Sequence, residues 1–257
     1  MNQILKVCSC GLATCRYCAP GGPLDTREPQ YAACLREAPV ALGPMTGASW
    51  RWNPRRLGMM LARYKFVAKM LCGLGDVAEI GCSDGFGSTV VAREVGRLAL
   101  FDFDSVFVDY VEANLDMIGA DQVAVHDILS GPLPPRRHSP DPLAVRYDGI
   151  YMLDVLEHIR PVDEAHALAN IVASLQPDGV FIAGVPSLES QAYASDISKA
   201  GHVNCKTGDE LRLTAQRFFR NVFLFGMNDE VLHTGFAPMC QYLFVLCTGP
   251  IRGAGRD

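Results

Sequence analysis

Much of what would declare a function at sight is missing from this chain. No apolar run approaches the roughly 20 residues needed to span a bilayer; the stretch 242-YLFVLC-247 near the end is far too short. The opening MNQILK leads into cysteines without the apolar core of a secretory signal. Both absences place the chain, as an expectation, in the cytoplasm and away from membranes. Positive charge is not in excess either: 23 Lys and Arg stand against 28 Asp and Glu, a net charge of -5. That balance argues against a dedicated nucleic-acid binder. The notable basic run, Arg51 to Arg63 (RWNPRRLGMMLAR), is interleaved with apolar residues and reads as a solvated helix face. Internal repeats and long low-complexity tracts are lacking, and nothing in the sequence sets an oligomeric state.

What is present suits an ordinary globular protein: 257 residues, 49% hydrophobic and 20% charged, enough for a sizeable core. In a reducing compartment its 10 cysteines are thiols rather than disulfides. Six are scattered and read as small buried hydrophobes. The other four, Cys8, Cys10, Cys15 and Cys18, crowd into 8-CSCGLATCRYC-18. Four thiolates in one short loop can close a tetrahedral shell around a structural zinc ion, with an iron–sulfur cluster or spare thiols as the other readings. Residues 1–50, rich in Gly, Pro and Cys, read as an irregular arm, and 51–257 as the main domain.

From Pro54 to Leu74 apolar residues recur at helical spacing (Leu57, Met60, Leu61, Tyr64, Val67, Ala68, Leu71). Short strands then alternate with helices. The strands are 77–80, 98–103, 122–128, 147–153 and 179–185; the helices are 88–95, 106–118 and about 162–175. A long polar loop, 187–209, precedes two last strands near 221–227 and 241–247. This order predicts an α/β fold: a Rossmann-like doubly wound sheet of seven strands, mostly parallel, with an antiparallel last strand.

Ligands of such sheets bind beyond the carboxyl ends of the strands, where 79-EIGCSDGFGS-88 follows the first strand. A phosphate loop needs Lys and then Ser or Thr after its glycines, and neither follows here. The dinucleotide pattern G-x-G-x-x-G fails at Val90. The strand ends in an acid, Glu79, which repels a pyrophosphate and suits a ligand carrying a cationic amino group. Three further acids stand at or just beyond successive strand ends: Asp102 (with Asp104 as its rival two residues on), Asp127 in 126-HDI-128, and Asp154 in 153-LDVLEHI-159.

In these motifs the sequence resembles the class I S-adenosylmethionine-dependent methyltransferases over roughly residues 57–247. E-I-G-C-S-D-G-F-G is similar to the family's first motif, with Ser83 where glycine is commonest. The resemblance implies a cofactor packed on Gly81, Cys82, Ser83 and Gly85, with Glu79 facing its amino-acid end. It places the ribose hydroxyls on Asp102, the adenine against Phe103 and the exocyclic amine on Asp127, with Ile128 also in the cofactor site. Asp154 falls in the segment beside the transferred methyl group.

For a hydroxyl acceptor, a histidine is the natural base. His158 follows the fourth strand, His202 lies in the long loop, and His233 precedes the last strand; each has a structural or solvated reading beside the catalytic one. These histidines with Glu157 and Asp229 are also candidates for a divalent metal, although their spacing carries no ligand signature. The stretches RLGMMLARYKFVAKML, DFDSVFV and GVPSLESQ are similar to bacterial methyltransferases of surface polysaccharides or secondary metabolites. The resemblance therefore implies O-methylation of a small polar substrate. Methylation of a peptide or protein, and a non-catalytic cofactor-binding regulator, are the alternatives.

Overall fold

A computed structural model describes residues 40–135 and 146–253; the cysteines of 8–18 and His138 lie outside the described residues. Two helices come first, α1 (Pro44–Trp52) and α2 (Arg55–Met70), so residues 44–50, expected to be irregular, are helical. Pro44 at the first helical position fits because its missing N–H would be unpaired there anyway. There follow β1 (Asp76–Ile80), α3 (Ser88–Ala92), β2 (Arg97–Asp102), α4 (Ser105–Ala113), α5 (Leu115–Ile118), β3 (Gln122–Val125) and β4 (Tyr147–Leu153). The expected helix 106–118 breaks at Asn114, whose amide donates to the Tyr110 carbonyl instead of continuing the helix. The chain continues with α6 (Pro161–Ser174), β5 (Leu175–Pro186), α7 (Asp196–Gly201) and α8 (Gly208–Gln216). It closes with β6 (Phe219–Asn228), β7 (Val231–His233) and β8 (Tyr242–Pro250).

The strands form a single sheet in the order β3-β2-β1-β4-β5-β8-β6-β7. β1 to β5 pair in parallel, and β8 runs antiparallel between β5 and β6, as expected. The described residues hold eight strands rather than the expected seven. The extra one is the three-residue β7, folded back on β6 through a turn where Asp229 takes φ 51. Nothing in its short sequence, VLH, distinguishes it from a loop.

Strand alternation sorts the core onto two faces. Ile80, Phe101, Ile150 and Met152 pack under α6 and α8. Val77, Leu100, Tyr151 and Leu153 pack against α2, α3 and α4. Because Val77 faces α2, Glu79 must as well, and its neighbour in the register is Tyr151.

Candidate active site

A cavity of about 830 Å³ opens at the carboxyl ends of β1, β2, β3 and β4, roofed by α1 and α2. It lies within the roughly 300–1,000 Å³ range of small-molecule sites. Its floor is the turn after β1, where Gly81, Ser83 and Gly85 all take left-handed φ angles of 78, 49 and 70. A side chain at Gly81 would stand 2.3 Å from Val155 Cγ2, so the backbone can pass there only as glycine. Ser83 carries the strain that glycine would avoid, of order 1–3 kcal/mol. Its N–H is held by Asp102 Oδ2 at 2.9 Å.

That bond separates the two rival acids of β2. Asp102 is buried on the cavity wall, its other oxygen taking the Asp104 N–H at 3.0 Å. Asp104 accepts from the Val106 N–H at 2.9 Å and caps α4. Each Asp102 oxygen accepts one of these bonds and has capacity for another. Phe103 beside it is 75% exposed, an apolar ring left uncovered at the cavity rim. Asp127, Ile128 and Leu129 line the next wall, with Asp127 Oδ1 accepting the Leu129 N–H at 2.9 Å. His126 is held by the Gly131 carbonyl at 3.1 Å and His166 by that of Leu129 at 3.1 Å.

Glu79 is the principal correction. Expected to face a bound cofactor, it lies instead outside the cavity lining, fully buried on the α2 face. Tyr64 Oη donates to it at 2.7 Å and Tyr151 Oη at 2.8 Å, and the Ser88 hydroxyl donates to its second oxygen. Burial pushes its carboxyl up to about 7, against the pull of those three hydroxyls. Glu79 thus braces the glycine turn from beneath. Gly85 likewise turns from the cavity, and a side chain there would strike Ile118 at 2.7 Å.

The sequence reading missed a pair. Arg63 of α2 reaches over the Tyr242 ring (3.7 Å to its centre) and donates to both oxygens of Asp154, at 2.9 and 3.1 Å. Asp154 holds φ 56, another left-handed backbone that a non-glycine residue adopts at a cost. Both residues line the cavity beside Gly81. The helical stripe of α2 marked its apolar contacts but carried no signal for an arginine aimed inward. α1 was missed too. Asp84 accepts from the Thr46 N–H at 2.7 Å and the Thr46 hydroxyl at 2.9 Å, docking α1 on the glycine turn and bringing Met45 and Ser49 to the cavity.

At the far end stands His158, exposed on the cavity wall. Its Nδ1–H donates to the Gly201 carbonyl at 2.9 Å, which leaves Nε2 with a lone pair. His202 packs edge-on against it, ring centres 5.2 Å apart, with its Nδ1–H on Gln191 Oε1 at 2.8 Å. The long loop returns to this point because Val203 and Asn204 N–H groups bond the Glu157 carbonyl and Lys206 pairs with buried Glu164 at 3.0 Å. His233 is not brought here. It lies on β7 with its ring nitrogens on Asn228 and the Gly235 N–H, outside the cavity lining, and Asp229 stands on the same hairpin.

No family model matches the chain. A curated protein of Mycolicibacterium smegmatis, named a probable S-adenosylmethionine-dependent methyltransferase, is 26% identical over 152 residues, 58% of this chain. The match spans about half, 53%, of that relative. The crystal structure of the N-methyltransferase NodS from Bradyrhizobium japonicum WM9 with S-adenosyl-L-homocysteine is similar at a TM-score of 0.52 and 17% identity, covering 87% of this chain and 100% of that one. A TehB-like S-adenosylmethionine-dependent methyltransferase from Corynebacterium glutamicum gives a TM-score of 0.54 at 19% identity, covering 79% and 96%. The resemblance to the class I S-adenosylmethionine-dependent methyltransferases therefore extends from the motifs to the whole fold.

Proposed function

We propose that the chain is an S-adenosylmethionine-dependent methyltransferase acting on a hydroxyl group of a small polar acceptor, such as a sugar or secondary metabolite. The observation that carries this reading is the cavity itself. A close-approach turn, a half-satisfied acid, an uncovered aromatic ring and a second acid follow one another along the ends of β1 to β3. Asp102 suits a ribose diol, Phe103 and Ile128 the faces of an adenine, and Asp127 its amine. Backbone at Gly81, Cys82 and Ser83 supports the middle of the molecule. The Arg63–Asp154 pair matches an amino-acid zwitterion, guanidinium toward carboxylate and carboxylate toward ammonium. The donor set therefore fits this cofactor.

When bound, S-adenosylmethionine supplies an electrophilic methyl group, whose bond to sulfur breaks, leaving its electron pair on sulfur, as the acceptor oxygen attacks from the opposite side. The protein aligns the two partners and removes a proton. His158 takes that proton in this reading, which its position in the cavity lining and the Gly201 bond to Nδ1–H, leaving Nε2 as the basic atom, support. His202 supports the ring from the side.

NodS is named an N-methyltransferase, so the fold alone leaves the acceptor atom open, and the polar cavity end favours oxygen. The N-terminal cysteines and a cytoplasmic, reducing setting remain part of the proposal; among the described residues no helix is long and apolar enough to cross a membrane.

The test is turnover of methyl-labelled cofactor against a panel of hydroxylated metabolites, amines and peptides. Label should pass to a hydroxyl compound in step with release of S-adenosylhomocysteine. Transfer to peptides alone would overturn the acceptor class, and cofactor binding with no transfer to any of them would favour a regulator.

A further inference from the structure

Glu157 is 1% exposed, yet neither of its carboxylate oxygens has a hydrogen-bond partner. A carboxylate withdrawn from water ordinarily finds a donor or a cation. Its carbonyl, by contrast, is doubly satisfied by Val203 and Asn204, so the residue is firmly placed while its carboxyl oxygens stand without a hydrogen-bond donor. Arg63 and Asp154 act on it electrostatically, and one ligand atom each from Glu157, His158 and His202 lies within 4.8 Å of the others.

We infer that Glu157, His158 and His202 form a binding site for one divalent transition-metal cation at the acceptor end of the cavity. Neighbouring ligands of a tetrahedral ion with bonds of about 2.1 Å stand about 3.5 Å apart, so side-chain rotations that draw the three atoms together by about an ångström bring them into range. The hydrogen bonds already match what such a site requires. Each histidine commits Nδ1–H to an oxygen, Gly201 O for His158 and Gln191 Oε1 for His202, and each thereby presents Nε2 as a donor lone pair. That outer-shell arrangement fixes the tautomer of metal-bound imidazoles. Two imidazoles and one carboxylate favour a transition metal over magnesium or calcium, which prefer oxygen shells. Three protein ligands also leave a position open.

Of the three residues His158 lines the cavity, and Glu157 and His202 lie outside its lining, so an acceptor would reach the ion past His158. The role given to the ion rests on the methyl-transfer reading above; its binding does not. An acceptor hydroxyl bound to the cation loses its proton to solvent near neutral pH, as metal-bound water does. The resulting alkoxide forms the O–CH₃ bond while the S–CH₃ bond breaks and its electron pair stays on sulfur. His158 then serves as a ligand, and the ion takes over acidification of the hydroxyl. The substrate class narrows to acceptors with a metal-binding oxygen, a vicinal diol or hydroxy acid rather than an isolated aliphatic alcohol.

Manganese(II) is the suitable probe, since it disfavours thiolates and so avoids the N-terminal cysteines. The full chain, stripped with a chelator, is titrated with Mn²⁺ while the free-ion electron paramagnetic resonance signal is followed. About one equivalent should bind. His202→Ala and Glu157→Gln should each weaken it by about tenfold or more, Cys8→Ser should leave it unchanged, and affinity of His202→Ala for S-adenosylhomocysteine should stay within about twofold of wild type. That retained affinity shows the His202 variant to be folded; should it be lost, His202→Asn replaces it. Absence of Mn²⁺ binding in the wild type, or equal binding by the folded His202 variant, would overturn the site. Mn²⁺ binding without any affinity for S-adenosylhomocysteine would instead overturn the methyltransferase reading and leave the ion site standing.

Discussion

Ser83 donates its backbone N–H to Asp102 Oδ2 at 2.9 Å, tying the turn after β1 to the end of β2. One carboxylate thus holds the strained turn and faces the cavity. Removing it should cost both roles. A hydrogen bond to a charged group contributes about 1.5–3 kcal/mol, and about 1.4 kcal/mol is a factor of ten. Asp102→Ala should therefore weaken S-adenosylhomocysteine binding at least tenfold by calorimetry. Asp104→Ala removes a helix cap, which costs about 1 kcal/mol of stability, and should leave affinity within a fewfold. A larger loss of affinity at Asp104 would reverse the assignment.

Glu79 should give stability an unusual pH dependence. Its folded pKa of about 7 exceeds the ordinary 4.5, so the native state holds a proton that the unfolded chain releases. Its contribution is full below about 4.5 and is lost as pH rises through about 7, a change of order 3 kcal/mol. Glu79→Gln lacks that titration. Denaturant unfolding should show the glutamine variant gaining on wild type between pH 4.5 and 7; a constant difference across this window would mean that Glu79 stays ionised.

Arg63 should govern the amino-acid end of the cofactor. Arg63→Met keeps much of the apolar stem over Tyr242 but removes the charge beside Asp154. Affinity for S-adenosylhomocysteine should fall about tenfold, whereas affinity for 5′-methylthioadenosine, which lacks the amino-acid group, should hardly move. Equal losses for both ligands would show that Arg63 shapes the cavity rather than pairing with the zwitterion.

His158→Ala should lower turnover by roughly a hundredfold or more, the scale of lost proton removal, whether the imidazole takes the proton or holds the ion that acidifies the hydroxyl, with cofactor affinity unchanged. Single-turnover kinetics with a saturating cofactor would check the split. Normal turnover in the variant would take His158 out of the chemistry.

The sheet was legible because its strands are apolar and regularly spaced, and the acids at their ends stood out against them. Strand register favoured Asp102 over Asp104, and in the structure Asp102 lines the cavity while Asp104 caps α4. Glu79 was misplaced because proximity in sequence to the glycine turn says nothing of side-chain phase. Three hydroxyls, from Tyr64, Ser88 and Tyr151, converge on it from separate elements. The meeting of His158 and His202 depends on a loop return pinned by the Ser187–Lys206 bridge and the Lys206–Glu164 pair. No periodicity encodes such a return. His233 looked equivalent in the sequence and ended on a hairpin elsewhere, because the short β7 diverts it.

The central claim, that the cavity binds this cofactor, is tested most directly by calorimetric titration of the full chain with S-adenosylhomocysteine, with NAD and ATP titrated in parallel. One site per chain with micromolar affinity for S-adenosylhomocysteine is the predicted result. Binding of the other two should be at least a hundredfold weaker, since the turn lacks a phosphate loop and a dinucleotide fingerprint. No binding of S-adenosylhomocysteine at millimolar concentration, or tighter binding of either nucleotide, would contradict it.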